Sequence, residues 1–390
     1  MIKKYDAYVV GYYGMQNSGD DALLAASLLG SEHYLGIKST LISHAGPLSR
    51  HRFGERRANL TEDQRFPGQN RLSHYINAAQ CKRVIFGGGS VLHSQQDINI
   101  KRTLMHLTSS TRSMALGVGI EPFKSDADQL ACTKFLNQCG IVAVRDSDSF
   151  KLAKSIAPHA NVVESFDLAP LLLTHKEFHR FSGKRRGVVV NVCPAPVSAM
   201  GNTNAQNETK RLMCMAEIIH SIWELSGEPI SLMVFNGHDR LGDVRVTQQL
   251  HDLLAERLPL NIIPYNPDPI QVLNQIGQFK LMLGMRLHAN IFAYLSHTPS
   301  INLGYHPKSH SWAEQVGLSP DYQFNANSID RVRLFNSAMN ALSTGHTGTK
   351  LSTDQALQQS IKNWSHSYET CTDFSGYPTF QQRKAHTGNA

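Results

Sequence analysis

The sequence lacks the cysteine and histidine spacings that hold metal ions in proteins. Its six cysteines form no CxxC pair, and no histidine stands at a zinc-like spacing from Cys81, Cys132, Cys139, Cys193, Cys214 or Cys371. We therefore predict reduced thiols and no metal site. Cys193 follows a predicted strand, but without a His and Asn pattern around it we interpret it as a small core thiol rather than a nucleophile.

Long apolar runs are also absent. No stretch approaches the roughly 20 apolar residues that cross a bilayer. Met1-Ile2-Lys3-Lys4 leads directly into a strand-like segment rather than into a secretory signal. These absences predict a soluble cytoplasmic protein.

Charge of one sign is not in large excess. The sequence has 38 Lys and Arg against 31 Asp and Glu, a formal net charge of +7, which suits nucleic acid, an anionic membrane face or an anionic substrate equally. The basic clusters lack the interleaved aromatic residues of a nucleic-acid platform, both at Arg50, Arg52, Arg56 and Arg57 and at Lys184, Arg185 and Arg186. We predict solvated basic loops and no nucleic-acid partner.

The order of apolar segments predicts an α/β protein with two domains. A chain of 390 residues exceeds one ordinary core, so we expect two domains of roughly 150 to 200 residues. Short buried runs alternate with helical periodicity in both halves, and a charged stretch without periodicity separates them at 176–186. We place an N-terminal Rossmann-like domain at 1–178, a C-terminal one at 187–345, and a closing helix and tail at 346–390.

The first glycine-rich turn matches neither of the two common phosphate loops. Gly14 to Gly19 satisfies GxxxxG, but Asp20-Asp21 follows where a nucleotide-triphosphatase loop needs Lys and Ser or Thr. The dinucleotide fingerprint fails too, because the next strand ends without an acidic residue for a ribose. Ser18 and Asp21 have capping-box spacing and predict the helix start. We expect Asn17 and Asp20 to face a cleft, although Asp20 as a simple helix cap remains an alternative.

The stretch from Phe279 to Tyr305 reads as a strand, helix and strand. Arg286, Leu287 and His288 fall where the first strand passes into the helix, which is where parallel sheets bind ligands. Helix N-terminal amides and a guanidinium favour an anion, and a histidine exchanges a proton near neutral pH. The alternative is a structural salt bridge for Arg286 and a hydrogen-bonded, half-buried His288.

Other predicted strands also end in small or polar residues. One ends in three glycines that include Gly88 and Gly89, another is followed by Arg145, and a third by Asp167. Since the carboxyl ends of parallel strands meet at one edge of a sheet, this repetition predicts a shared cleft. The polar segment 50–69 is interpreted as a long loop or small excursion.

The ordered segments GYYGMQNSGDDALL, GGGS, GVGIEP, VRDSDSFKLA, SFDLAPLL and MRLHANIFAYLSHTPSINLGYHPK resemble the polysaccharide pyruvyl transferase family. The resemblance covers most of the chain. It implies two Rossmann-like domains facing a cleft, as in GT-B glycosyltransferases. It also implies an enzyme that moves pyruvate from phosphoenolpyruvate onto a sugar of a surface polysaccharide, or of its precursor, as a ketal. Phosphoenolpyruvate would be a donor substrate, and no cofactor is implied.

The resemblance also implies roles for individual residues. Arg286, Leu287 and His288 match its donor-site motif, and Arg145 matches an arginine that contacts the donor. Ketal formation needs an acid that protonates the donor methylene and a base for the sugar hydroxyl. We expect His288 to be the acid or the phosphate-side proton donor, and Asp20 or Asp167 to be the base, with an interdomain structural carboxylate as the alternative for Asp167. Lys308 should add charge to the donor pocket, with a plain surface lysine as the alternative.

Some features leave other interpretations open. Glu121 stands between Ile120 and Pro122 where the family often has a shorter Gly-Pro turn. A GT-B glycosyltransferase using a nucleotide sugar would share the architecture, and so would a non-catalytic protein that binds glycans or sugar phosphates. The acceptor would be a glycan or a lipid-linked sugar, and in the second case the basic balance would favour peripheral contact with the inner face of a membrane.

Overall fold

The computed structural model describes residues 3–45, 56–61, 64–92, 94–195 and 205–370. Arg50, Arg52 and the tail from Cys371 lie outside these ranges. Within them, the helices of the first half are α1 (Ser18–Leu35), α2 (Gln69–Ala79), α3 (Gln95–Leu107), α4 (Asp126–Gln138) and α5 (Ser147–Ile156). Those of the second half are α6 (Ala205–Ser226), α7 (Val244–Leu254), α8 (Pro269–Ile276), α9 (Leu287–Leu295), α10 (Pro307–Gln315), α11 (Arg331–Thr344) and α12 (Thr353–Thr370).

The strands form two parallel sheets. The described strands of the first half are β1 (Tyr5–Tyr13), β2 (Thr40–Ala45), β3 (Arg56–Leu60), β4 (Cys81–Gly89), β5 (Met114–Val118), β6 (Ile141–Val144) and β7 (Val162–Glu164). Those of the second half are β8 (Val188–Asn191), β9 (Ile230–Met233), β10 (Leu260–Ile263), β11 (Leu281–Gly284), β12 (Ser300–Gly304) and β13 (Gln323–Asn325).

Both sheets have the Rossmann strand order. The first runs β3-β2-β1-β4-β5-β6-β7 and the second β10-β9-β8-β11-β12-β13, so each reverses direction beside its own first strand. Ligands of such sheets lie beyond the carboxyl ends of the strands at this reversal. The predicted class, an α/β protein with two Rossmann-like units, is confirmed.

The prediction of a loop across 50–69 was wrong for part of that segment. Arg56–Leu60 pairs in parallel with β2, with Leu41 opposite Arg56, and forms the edge of the sheet. Edge strands tolerate charged residues that central strands do not. Because β3 contains two arginines, it does not form an apolar run, and the sequence pattern did not predict it as a strand.

The two sheets share a continuous apolar core through the first helix. Residues of α1 such as Ala22 and Leu23 belong to the same buried cluster as Leu283 and Phe292 of the second half. The opposite face of the first sheet has a separate core that includes Phe86 and Phe135. Helix α1 therefore packs on its own sheet and on the second half at once.

The last described helix returns to the first half. In α12, the Asn363 side-chain oxygen accepts hydrogen bonds from the Gly117 backbone amide at 2.6 Å and the Ser165 hydroxyl at 3.0 Å. Trp364 is fully buried beside Gly30, where a Cβ would lie 2.3 Å from its ring. The closing helix predicted within 346–390 therefore packs on the first half. None of the described helices has the length and apolarity needed to cross a bilayer.

Replacing Trp364 by Ala should lower the free energy of unfolding by about 3–5 kcal/mol, because a cavity replaces a large buried ring. Urea denaturation followed by circular dichroism measures the change. Val332→Ala, on an exposed side chain of α11, is the control and should stay within about 0.5 kcal/mol of the parent. A Trp364 variant as stable as the control would contradict the packing of α12 on the first half.

Candidate active site

A cleft of about 800 Å³ lies at the carboxyl ends of the central strands of both sheets. The first half contributes Asn17, Asp20, Gly88, Gly89, Ser90 and Arg145 to its wall, and the second half Arg286, Leu287, His288, Tyr305 and Lys308. The residues proposed from the sequence are thus brought together, except for Asp167, which does not line the cleft. The structure places that carboxyl behind His288.

The amino end of α1 is fixed to the second half. Ser18 donates its backbone N–H to the Phe235 carbonyl at 2.9 Å, and Gly237 donates to the Gln16 carbonyl at 2.8 Å. The N-cap is Asn17, whose side-chain oxygen accepts from Gly19 N at 3.1 Å. The prediction of Ser18 as cap was therefore wrong by one residue, since Asn caps as well as Ser.

Asp20 lies in the first turn of α1, facing the cleft. Its Oδ2 accepts a hydrogen bond from Asn17 Nδ2 at 2.7 Å. Burial raises the pKa of Asp20 to about 7, although the charges of Lys308 and Arg286 lower it. A carboxyl group with such a pKa can accept or give a proton near neutral pH.

Arg286 makes a structural salt bridge, which the sequence analysis kept open as the alternative to anion binding. Its Nε and Nη2 donate to Asp243 Oδ1 at 2.9 and 2.7 Å. Asp243 is fully buried, and its Oδ2 accepts from Asn191 Nδ2 and from two backbone amides of the β9 end. The guanidinium also lines the cleft, and among the described residues its Nη1 has no hydrogen-bond partner. Arg286 therefore supports the second domain and leaves one edge for an anion.

His288 lies in the first turn of α9, between Asp167 and the amino end of α1. Its Nε2 is 3.8 Å from Asp167 Oδ2, and neither atom has a hydrogen bond to a described residue. A Cβ on Gly19 would lie 2.4 Å from His288 Nδ1, so only glycine fits at that position.

His288 is neutral near pH 7. Burial, with smaller contributions from the charges of Arg145 and Lys308, lowers the pKa of its imidazole to about 4, although the charge of Asp167 opposes the shift. Asp167 is itself held by a hydrogen bond from Ala169 N to its Oδ1 at 2.9 Å. The carboxylate is thus placed to stabilise an imidazolium rather than to contact a ligand.

Positive charge collects near His288. Arg145 donates from Nη2 to Ser90 Oγ at 3.4 Å, and its Nε lies 3.5 Å from Asp146 Oδ2. Lys308 forms no ion pair with any residue that the structure describes. Burial lowers the pKa of its ammonium, and the charge of Arg145 adds to the effect. Cations held together with so little compensation favour an anionic ligand.

Glu121, the residue that departs from the family pattern, lies at the edge of this cation cluster. Its Oε1 accepts from Ser90 Oγ at 2.7 Å, and its Oε2 is 3.8 Å from His306 Nε2. Although burial opposes the shift, the Ser90 bond and nearby cations lower the pKa of Glu121. The carboxylate therefore orders the β5 loop beside Arg145.

Gly88 and Gly89 both adopt left-handed backbone conformations, with φ of 79° and 84°. A Cβ on Gly88 would also lie 2.8 Å from Leu23 of α1. The glycines therefore allow β4 to approach α1 closely at the cleft wall, as well as leaving room for a ligand.

Sequence reasoning missed the polar residues on the far side of the cleft. Asp97 and Lys101 form an ion pair on α3, and Lys101 is buried. His74 Nδ1 lies 2.8 Å from the Tyr8 hydroxyl, and burial with the charge of Lys101 lowers the pKa of His74 to about 4. The i,i+4 spacing of Asp97 and Lys101 was the available signal, but such pairs are common on exposed helices.

Cys193 is fully buried, and burial raises the pKa of its thiol to about 11. The prediction of a small core thiol is confirmed. Among the described residues, no three His, Cys, Asp or Glu side chains group as metal ligands.

Replacing Arg286 by Ala should lower the free energy of unfolding by about 3–5 kcal/mol, because Asp243 would be left as a buried, unpaired charge. Lys308→Ala is the matched control on the same cleft. It should leave stability unchanged or raise it, since it removes a cation held near Arg145. Urea unfolding of both variants measures the difference, and equal losses would contradict the structural role of the Arg286–Asp243 pair.

Comparison with known proteins gives one family. The model of the family described as polysaccharide pyruvyl transferase matches residues 17–307. No curated protein matches the chain.

Solved structures share the fold at low sequence identity. A putative UDP-N-acetylglucosamine 2-epimerase from Listeria monocytogenes is 10% identical with a TM-score of 0.58, over 92% of this chain and 91% of that one. MnaA of S. aureus bound to UDP is 9% identical with a TM-score of 0.61, over 96% and 100%. Anabaena HepE with UDP and glucose is 12% identical with a TM-score of 0.54, over 96% and 100%. The shared architecture is the GT-B arrangement of two Rossmann-like domains.

Proposed function

Because the chain belongs to the polysaccharide pyruvyl transferase family, we propose that it transfers pyruvate from phosphoenolpyruvate to a sugar of a surface polysaccharide or of its precursor. The product is a ketal. The observation that carries this proposal is the group of cations, Arg145, Arg286 and Lys308, beside one buried imidazole, His288. A donor with two anionic groups and a carbon to be protonated needs these two features.

The cations suit the two anionic groups of phosphoenolpyruvate. Arg145 and the open edge of Arg286 offer planar donors for phosphate or carboxylate, and Lys308 offers a point charge. Lys308 stands in the first turn of α10 and Leu287 in the first turn of α9. The backbone amides of these two helix ends would add donors for an anion.

The reaction requires one proton transfer to carbon and two proton transfers from sugar hydroxyls. An acid adds a proton to the donor methylene, leaving a cation at the neighbouring carbon. A sugar hydroxyl attacks that carbon as a base removes its proton, the phosphate leaves with the electron pair of its C–O bond, and a second hydroxyl closes the ketal and loses its proton. We assign the acid to His288 and the base to Asp20. Asp167 acts through His288 as a positioning residue, because it does not reach the cleft.

The pKa values of His288 and Asp20 are in the wrong order for this assignment. His288, with a pKa of about 4, is mostly neutral where Asp20, with a pKa of about 7, becomes ionised. An anionic donor beside Arg145 and Lys308 would offset the two charges that lower the pKa of His288. Donor binding is therefore expected to raise the pKa of His288, and Asp167 then stabilises the imidazolium.

The acceptor is assigned to the half of the cleft built by 1–178, and the donor mainly to the half built by 187–345. Asp97, Lys101 and His74 line the acceptor half, where the ion pair and the neutral imidazole leave polar groups without a net cation. Such a surface fits the hydroxyls of a neutral sugar. Arg145 crosses this division, since it comes from the first half and faces the donor.

The enzyme is proposed to act in the cytoplasm, where phosphoenolpyruvate is formed. A sugar acceptor linked to a lipid would bring it to the inner face of the membrane as a peripheral protein.

Lys308→Ala and Arg145→Gln should each weaken phosphoenolpyruvate binding by about tenfold or more, because each loses a charge-assisted contact of roughly 1.5–3 kcal/mol. Isothermal titration calorimetry measures the dissociation constants. Lys124→Gln, on an exposed lysine outside the cleft, is the control and should bind as the parent does. Binding of a UDP-sugar in place of phosphoenolpyruvate, abolished by the same variants, would favour the glycosyltransferase alternative.

The imidazole of His288 should titrate near pH 4 in the free protein and at a higher pH with phosphoenolpyruvate bound. NMR of protein labelled at histidine, with His288→Asn for assignment, follows both titrations. Asp167→Asn should lower the pKa of His288 further, since it removes the carboxylate that raises it. An imidazole that stays neutral at pH 7 in the complex would remove His288 as the acid and move that role to Asp20.

A further inference from the structure

Glu121, the residue that departs from the family pattern, has no role in the reaction proposed above. It lies in the loop after β5, and 35% of its side chain is exposed. Its Oε1 accepts a hydrogen bond from Ser90 Oγ at 2.7 Å. Although burial opposes the shift, this bond and nearby charges lower the pKa of Glu121. The side chain is therefore an ionised carboxylate near pH 7.

Ser90 connects this carboxylate to a cation of the donor site. Because the Ser90 hydroxyl gives its hydrogen to Glu121, its oxygen can accept from Arg145, whose Nη2 lies 3.4 Å away. Arg145 also packs on Gly119 of the same loop, where a Cβ would lie 2.7 Å from Nη2. Both Ser90 and Arg145 line the cleft. Glu121 therefore acts on the guanidinium through Ser90, as a positioning residue.

Helix α10 brings a second cation to this loop from the other half of the chain. Ser311 Oγ donates to Asp148 Oδ2 at 3.2 Å, and Gln315 Nε2 donates to the Arg145 carbonyl at 2.9 Å. Lys308 stands three residues before Ser311 and so lies on the same face of the helix. The packing of α10 on the first half therefore brings the ammonium of Lys308 toward the guanidinium of Arg145.

The two cations repel one another, and Glu121 offsets part of that repulsion. Burial and the charge of Arg145 lower the pKa of Lys308, whereas the charge of Glu121 opposes the shift. His306, the N-cap of α10, has its Nε2 3.8 Å from Glu121 Oε2. Since burial lowers the pKa of this imidazole, His306 is neutral near pH 7. The charge of the carboxylate thus acts mainly on Arg145 and Lys308.

An anion in the cleft would share these two cations with Glu121. The carboxylate offsets positive charge that would otherwise attract the ligand, and it also repels the ligand directly. Because its side chain is partly exposed, solvent and salt screen this effect. Glu121 therefore holds the cations together when no anion is bound, and it lowers the affinity of the cleft for an anion.

We propose that Glu121 is a built-in counter-anion of the donor site. It positions Arg145 through Ser90, and it weakens phosphate binding so that orthophosphate leaves the cleft after each transfer. Orthophosphate as the product rests on the proposed function, whereas the effect of Glu121 on anion affinity does not depend on it.

The test is isothermal titration calorimetry of the full-length protein with orthophosphate and with phosphoenolpyruvate at low salt. Glu121→Gln keeps an oxygen that can accept from Ser90 but removes the charge. It should bind orthophosphate about threefold to tenfold more tightly than the parent, and added salt should reduce this gain. A residue that only ordered its loop could lose affinity when replaced, but its replacement would not increase the affinity.

Two further variants separate the charge of Glu121 from its shape and from net charge. Glu121→Asp keeps the charge on a shorter side chain and should show no gain. Glu224→Gln makes the same change in net charge at an exposed position of α6, and it should bind as the parent does. An unchanged urea midpoint shows that all three variants fold.

Turnover gives a second measurement. Glu121→Gln should lower the KM for phosphoenolpyruvate, and orthophosphate should inhibit this variant at a lower concentration than it inhibits the parent. Unchanged or weaker orthophosphate binding by Glu121→Gln would overturn the proposal. An equal gain in Glu224→Gln would overturn it as well, because the effect would then be one of net charge alone.

Failure here is separable from failure of the proposed function. A parent that binds phosphoenolpyruvate, with both affinities unchanged in Glu121→Gln, would reject the role of Glu121 alone. Conversely, tighter orthophosphate binding by Glu121→Gln in a protein that does not consume phosphoenolpyruvate would support that role and reject the proposed function.

Discussion

The attachment of the amino end of α1 to the second half of the chain is the constraint on which the cleft depends. Two backbone hydrogen bonds, from Ser18 and Gly237, fix that end, and the apolar side of the helix belongs to the core shared with the second half. Backbone bonds do not rotate away as side chains do. Gly19 is therefore held against the imidazole of His288, which any larger residue at that position would meet.

The charge in the cleft depends on which cationic side chains this packing leaves without a buried carboxylate partner. Asp243 neutralises part of Arg286 and is itself satisfied by Asn191 and the backbone. Lys308 and Arg145 have no comparable buried carboxylate, and their charges add to burial, which is the main cause that keeps His288 neutral. An anion that satisfies the two cations would also allow His288 to take up a proton. Binding and proton supply would then be the same event.

Much of the architecture could be predicted because parallel strands covered on both faces are read as apolar runs. The strands β11 and β12 were visible in this way, within the predicted unit from Phe279 to Tyr305. β3 could not be predicted in this way, because an edge strand can carry arginines. α12 could be predicted as a helix, but its position could not. Its contacts, at Phe166 and Leu168, lie more than 190 residues away in the sequence.

The site was predictable where polar residues follow strands, which gave Arg145, Arg286 and His288. The position of Asp167 behind His288 was not predictable, because a carboxylate at the end of a strand can face the cleft or the imidazole. Only the packing of the two halves determines which of the two it faces. Asp243 was missed because a buried carboxylate that supports an arginine has no motif. His74 and Lys101 were missed because they lie within helices.

The most direct test of the account is NMR of the purified protein with phosphoenolpyruvate labelled with ¹³C at the phosphate-bearing carbon, together with sugar nucleotides and lipid-linked sugars from the source organism. The account predicts release of orthophosphate in step with a new ketal carbon signal on a sugar. Unchanged phosphoenolpyruvate, with a nucleotide released from a nucleotide sugar instead, would contradict it.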